Sequence, residues 1–135
     1  MKKVLLVLAA AVFAVTACEK SGGVYTDGTY RAEYDEVDSH GWKAFVEFTL
    51  ADDDITSVNY DEVNADGALK SEDSAYNALM ASLRDTYPEE FIPLIENEIL
   101  GAKIVPEFDS LDVVTGATSS SGNAEVLLDA GLASA

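Results

Sequence analysis

The segment from Asp112 to Ser121 reads DVVTGATSSS and contains the residues of this chain best suited to chemistry. A glycine, an alanine and four consecutive hydroxyl residues, Thr118 to Ser121, stand just before an apolar helical pattern. Backbone N–H groups in the first turn of a helix bind anions without help from Lys or Arg. The segment therefore predicts a phosphate site, and the alternative is a Thr/Ser-rich helix cap that holds no ligand.

The first seven of these residues, DVVTGAT, resemble the Dxx[ST]GAT signature of the FMN-binding domain family. Known members include the covalent-flavin subunits of sodium-pumping quinone reductases. Every specified position matches, namely Asp112, Thr115, Gly116, Ala117 and Thr118. The resemblance covers nearly all of residues 27–133, because DGTYRAEYDEVDSHGWKAFVEFTLADDDITSVNYDEVN and KSEDSAYNALM are similar to the family's small lipoprotein branch.

This resemblance implies a covalent cofactor on Thr118. A flavin transferase would move the FMN half of FAD onto the Thr118 hydroxyl and leave a phosphoester-linked flavin. A threonine hydroxyl is a weak nucleophile at neutral pH, so the base and metal would come from the transferase. Gly116 would give the turn conformational freedom, and Ala117 would leave room for the enzyme and the cofactor to approach.

The remaining residues of the segment are expected to hold the attached phosphate or to shape the loop. The phosphate would lie at the positive end of the last helix, where Ser119 to Ser121 could add hydrogen bonds. Thr115 would turn the backbone or donate to the phosphate. Asp112 would either recruit the transferase or shape the loop. Aromatic residues of the sheet and the next helix could contact the flavin ring or belong to the core, namely Trp42, Phe45, Tyr60 and Tyr76.

A second segment, Glu62 to Asp73, approximates an EF-hand calcium loop. Asn64, Asp66 and Gly67 match ligand positions 3 and 5 and the glycine of position 6. However, Glu replaces the Asp of position 1, Asp replaces the Glu of position 12, and the preceding residues have a strand pattern. A turn with a solvated acidic face explains the same residues, so we expect no metal site here. The nearby GALKS also fails as a phosphate-binding loop, because its Gly and Lys are not adjacent.

His40 is the lone histidine, in the context SHGW. A His-based metal site would need carboxylates to complete it, and no spacing indicates which ones. We therefore expect His40 to lie in a turn before a strand.

The N-terminus has the layout of an export signal. Lys2 and Lys3 precede an apolar run from Val4 to Val15, and VTAC ends at Cys18, the single cysteine. VTAC resembles a bacterial lipobox, which implies cleavage after residue 17 and lipidation of Cys18; the alternative is a plain signal peptide. The apolar run is too short for an ordinary transmembrane span.

The charge of the chain excludes one class of partner. The formal net charge is −17, and loss of residues 1–17 with their two lysines would make it −19. A protein with this much negative charge is not expected to bind nucleic acid, because Lys and Arg supply most of the affinity for phosphates. It would also be repelled by anionic headgroups, so membrane attachment must come from the lipid on Cys18.

The hydropathy pattern predicts an α+β domain over residues 28–135, after a tether at 18–27. Period-two segments from Thr29, from Gly41 and from Ile55 to Val63 predict an antiparallel meander with a turn at ADDD. Helical spacing then predicts three helices. Their apolar faces contain Ala75, Leu79 and Leu83; Phe91, Leu94, Ile95 and Ile99; and Ala124, Leu127, Leu128, Gly131 and Leu132. The last helix is predicted at 121–133, with the flavin-attachment loop at its N-terminus. In the second helix, Pro93 is predicted in the first turn and Gly101 at the C-cap.

Together these features predict a lipid-anchored flavoprotein on the extracytoplasmic face of the cell membrane. It would carry electrons from a membrane redox donor to an extracytoplasmic acceptor, the redox chemistry belonging to FMN. Two alternatives remain: a surface lipoprotein that keeps the fold without flavin, and noncovalent flavin binding.

Overall fold

The computed structural model describes residues 24–101 and 117–135, together with the backbone of Val4–Leu5. Three long strands form an antiparallel sheet that the helices follow, and the two-residue strand pairs with the first of them. This confirms the predicted α+β meander. The elements are β1 (Val4–Leu5), β2 (Gly28–Tyr34), β3 (Lys43–Ala51), β4 (Asp54–Val63), a 3₁₀ turn (Lys70–Glu72), α1 (Ser74–Leu83), α2 (Pro88–Gly101) and α3 (Thr118–Ala133).

The turn between β3 and β4 is as tight as the ADDD sequence predicts. Asp52 and Asp53 both have positive φ, at 59° and 64°, between the paired residues Ala51 and Asp54. A two-residue hairpin turn with two left-handed residues matches the twist of the strands, and aspartate tolerates this conformation. The turn sets the pairing of Leu50 with Ile55, and a β-bulge between Thr49 and Leu50 shifts the register of the rest of the two strands.

The residues before β2 are bound to the domain. The Asp53 carboxylate accepts hydrogen bonds from the Val24 and Tyr25 amides at 3.1 and 2.9 Å, and Thr26 N–H donates to the Ala135 carbonyl at 3.1 Å. Within the described residues, the segment just before β2 therefore contacts the domain, and the predicted boundary at residue 28 stays a prediction.

One face of the sheet forms the core with α2 and α3. In α3 the predicted stripe is confirmed, since all five of its residues are buried. In α2, Phe91, Ile95 and Ile99 are buried as predicted, whereas Leu94 is exposed and Ile92 is buried instead.

Two details of α2 concern its ends. Pro93 lies in the second turn and not in the first, because the helix already begins at Pro88. The helix continues through Pro93. Because proline has no N–H, the Glu89 carbonyl receives no hydrogen bond from it, but Glu89 is an exposed residue. Gly101 is the last helical residue described, so its predicted role as C-cap stays a prediction.

The predicted apolar face of α1 is wrong. Ala75, Leu79 and Leu83 are exposed, and the buried residue is Asn77. Its amide Nδ2 donates to three carbonyls around the 3₁₀ turn, and its Oδ1 accepts from the Glu89 amide at 2.8 Å. The helix is therefore held by a polar side chain, which hydropathy spacing does not detect.

Gly131 marks a close approach of α3 to the sheet. A Cβ atom at this position would lie 2.4 Å from Cε1 and 2.8 Å from Cζ of Phe48, a buried ring that stacks on Tyr30. We expect Gly131→Ala to lower the free energy of unfolding by about 1–3 kcal/mol through overpacking. Urea denaturation measures this change.

Gly122 provides the matched control in the same helix, because a Cβ atom there meets nothing within 4 Å. Gly122→Ala should raise stability by about 0.5–1 kcal/mol through helix propensity alone. Equal effects of the two substitutions would contradict the close packing at Phe48.

Candidate functional site

The first turn of α3 divides its four hydroxyl residues into two groups. The helix begins at Thr118, three residues earlier than predicted, with Ala117 at the N-cap. Thr118 and Ser119 are exposed, whereas Ser120 and Ser121 are buried. Ala117 carries no side-chain oxygen to cap the helix, and its methyl group belongs to the core. The hydroxyls of two exposed residues, Thr118 and Ser119, thus stand at the start of the helix.

The structure describes part of the predicted site. Ala117, Thr118 and Ser119 are adjacent at the start of α3, as the sequence predicts. Asp112, Thr115 and Gly116 lie outside the described residues, and so does Cys18. The attachment loop itself therefore stays a prediction.

A buried polar network lies beneath this turn and was not predicted. Glu62, near the end of β4, is 3% exposed, and its side chain points into the core beside that of Tyr60. Its Oε1 accepts from Tyr60 Oη at 3.1 Å and from Ser120 Oγ at 3.1 Å. Its Oε2 accepts from Lys70 Nζ in the 3₁₀ turn. One carboxylate thus joins the sheet, the 3₁₀ turn and α3.

Lys70 is only 8% exposed and is surrounded by groups that favour a cation. Besides Glu62, its Nζ lies 5.2 Å from the ring centroid of Tyr76 and 5.7 Å from that of Trp42. The two rings meet edge to face, with centroids 5.4 Å apart. Aromatic faces within about 6 Å attract a cation, so the charge is balanced by one carboxylate and two rings.

Two signals in the sequence could have indicated this network. Tyr60 and Glu62 are two residues apart in a strand, so they share a face, and a carboxylate on a core face needs a partner. Lys70 is the one basic residue between Lys43 and Arg84. The contact with Ser120 spans 58 residues and has no local signal.

The four aromatic candidates occupy different places. Trp42 and Tyr60 are buried on the core side of the sheet. Phe45 is buried on the opposite side, where the Arg31 guanidinium lies 4.0 Å from its ring centroid. Tyr76 is partly exposed, so it alone among these four presents appreciable surface to a ligand.

The residues of the approximate calcium loop have other partners. Asn64 Oδ1 accepts from the Asp66 and Ala68 amides, Asp73 caps α1 through the Tyr76 amide, and Glu62 is the partner of Lys70. Within residues 24–101 and 117–135, no three His, Cys, Asp or Glu side chains are grouped to hold a metal ion. His40 lies in an exposed turn before β3, as predicted.

Burial raises the pKa of Tyr60 well above its usual value near 10, and the charge of Glu62 adds to the shift. The hydrogen bond to Glu62 acts in the same direction, Ser120 acts against it, and Asp61 raises the pKa further. The phenol therefore keeps its proton and donates to Glu62 at neutral pH.

The raised pKa of Tyr60 predicts that the free energy of unfolding falls at alkaline pH. The folded state holds the Tyr60 proton more tightly than the unfolded chain does, so its contribution is complete below about pH 10. It is lost as pH rises from there towards the folded-state pKa. We expect the free energy of unfolding to fall more steeply above about pH 10 in the wild type than in Tyr60→Phe. Parallel pH profiles would contradict the buried phenol.

The described parts of the chain contain no helix with the length and hydropathy needed to cross a membrane. No model of a known protein family matches the chain, so the resemblance to FMN-binding domains is a prediction that these comparisons do not confirm.

Two known proteins are similar to this chain. The 15 kDa lipoprotein of Treponema pallidum (strain Nichols) is 39% identical over 95 residues, which cover 70% of this chain and 65% of that protein. The crystal structure of the CPE2226 protein from Clostridium perfringens superposes with a TM-score of 0.74 at 34% identity, covering 82% of this chain and 88% of that one. The chain therefore belongs to the same family as the Clostridium perfringens protein.

Proposed function

We propose that this protein is a membrane-anchored, extracytoplasmic flavoprotein that carries FMN covalently on Thr118 and acts as an electron carrier. The observation that carries the proposal is the presentation of Thr118. It is the first residue of α3, its side chain is exposed, and it ends a complete Dxx[ST]GAT sequence. A hydroxyl in this place is accessible to a transferase without unfolding of the domain.

The groups around Thr118 fit a phosphodiester. The first-turn amides and the positive end of the α3 dipole favour an anion, and Ser119 offers a second exposed hydroxyl. Glu62 lies beneath the turn, but Lys70 balances its charge, so this buried pair adds no net negative charge. A phosphate on Thr118 would therefore be stabilised by backbone amides in a chain with only eight Lys and Arg residues.

FMN, when bound, supplies the electron-transfer chemistry. The start of α3 would hold the phosphate, and Ala117 would keep the approach to Thr118 clear, since its small side chain is buried in the core.

Lipidation of Cys18 would supply the membrane attachment. The lipobox-like VTAC and the name of the Treponema pallidum relative support this anchor. The strongly negative charge favours a lipid over direct binding to anionic headgroups. The partners would be a flavin transferase, a membrane redox donor and an extracytoplasmic electron acceptor.

Fluorescence of the denatured protein tests the proposal. The chain is exported in cells with and without an active flavin transferase, denatured, and separated by gel electrophoresis under ultraviolet light. A fluorescent band that requires the transferase supports the proposal. Loss of the flavin on denaturation would indicate noncovalent binding. If this protein carries no flavin while a control protein in the same cells is modified, the surface-lipoprotein alternative is left. Either result would overturn the proposal.

A further inference from the structure

Four consecutive hydroxyls at the start of α3 raise a question of selection. Thr118, Ser119, Ser120 and Ser121 offer similar chemistry within one helical turn, yet the modification we propose requires Thr118. In an α-helix each residue is rotated by about 100° from the one before, so the rotation of the turn about the helix axis decides which of its hydroxyls are exposed. Some contact must therefore fix the rotation of this turn.

Ser120 makes a buried polar contact that helps to fix it, together with the packing of the buried Ala117 and Ser121. The side chain is 5% exposed, and its Oγ donates to Glu62 Oε1 at 3.1 Å. Glu62 is itself held by Tyr60 and Lys70, so its Oε1 has a defined position. With Ser120 drawn inwards, Thr118 lies at the surface, two residues earlier on the same turn.

We propose that Glu62 is a positioning residue that selects Thr118 for modification by holding Ser120 in the protein interior. The inference rests on the proposed function, because it takes Thr118 to be the attachment site. Lys70 and Tyr60 fix the carboxylate, and Ser120 transmits its position to the helix. Glu62 does not itself touch the proposed site.

Hydrogen exchange tests, without any flavin, whether the Ser120–Glu62 contact holds the first turn of α3. The Ser121 amide donates to the Ala117 carbonyl at 2.9 Å and thus reports on the closed first turn. We expect Ser120→Ala to speed the exchange of this amide about tenfold, while amides of β3 keep their rates. Ser120→Thr keeps the hydroxyl and should restore slow exchange. Ser82→Ala, an exposed serine of α1, is the matched control and should change neither region.

A second variant shows whether Ser120 acts through Glu62. Glu62→Leu with Lys70→Met removes the acceptor without leaving an unpaired charge in the core. This double variant should speed the same exchange about as much as Ser120→Ala does, and adding Ser120→Ala to it should cause no further change. Unchanged exchange of the Ser121 amide in either variant would overturn the inference. Fully additive effects of Ser120→Ala and the double variant would overturn it as well.

Flavin attachment then tests selection. In Ser120→Ala the initial rate of attachment should fall about tenfold and recover in Ser120→Thr. In the Glu62→Leu, Lys70→Met variant, peptide masses should place part of the flavin on Ser119 or Ser120. Wild-type rates with all flavin on Thr118 in both variants would overturn the inference. If the wild type accepts no flavin, the proposed function fails, whereas the exchange data still decide whether Glu62 positions the turn.

Discussion

Replacement of Thr118 by alanine is expected to abolish covalent attachment of flavin and to leave the fold intact. The Thr118 hydroxyl would be the atom that forms the phosphoester, and alanine has no nucleophile to replace it. The side chain is exposed, so its loss should change the free energy of unfolding by no more than about 0.5 kcal/mol. Fluorescence of the denatured protein and a urea titration measure the two effects.

Two further substitutions sharpen this prediction. Thr118→Ser keeps a hydroxyl at the same position and should retain flavin. Ser119→Ala removes the neighbouring exposed hydroxyl and should leave the flavin on Thr118, with attachment lowered severalfold at most. A Thr118→Ala protein that still fluoresces after denaturation would show that another residue carries the cofactor.

Replacement of Lys70 by methionine should cause the largest loss of stability. The substitution keeps most of the side-chain volume but leaves Glu62 as an uncompensated charge, 3% exposed, in the core. Removal of one partner of a buried ion pair costs about 3–5 kcal/mol. Urea denaturation at neutral pH measures the change, and α3 should lose protection together with the core because Ser120 depends on the same carboxylate.

The matched control is the more exposed ion pair of Lys43 and Glu33, whose N–O distance is 3.4 Å. Lys43→Met should cost only about 0–1 kcal/mol, as for most surface pairs. Adding Glu62→Gln to Lys70→Met should recover much of the lost stability, since the amide oxygen can still accept from Tyr60 and Ser120. Equal costs of the two lysine substitutions would contradict a buried ion pair at Lys70.

Much of the fold could be predicted because burial there follows a local period. The strand period of β3 and the turn at Asp52–Asp53 were predicted from the sequence, and the apolar stripe of α3 was predicted residue by residue. The α1 prediction failed where this rule does not apply. Leu83 is 67% exposed, and the helix is anchored by the four hydrogen bonds of Asn77.

In the candidate site, too, the sequence could indicate what is local and not what depends on tertiary contacts. Ala117 and Thr118 could be proposed from the sequence because they belong to a continuous signature, which Ser119 directly follows. The Glu62, Lys70 and Ser120 network could not, because its members belong to three elements and meet only through tertiary packing. Glu62 and Lys70 each appeared in the sequence as part of an imperfect motif, for calcium and for phosphate respectively. Their actual role is to neutralise each other beneath α3.

The most direct test of the account is the intact mass of the denatured soluble part, residues 20–135, exported from cells with an active flavin transferase. We predict an increase equal to FMN less one water, with the added mass on the peptide that contains Thr118. An unmodified mass, alongside full modification of a control protein by the same transferase, would contradict the flavoprotein account.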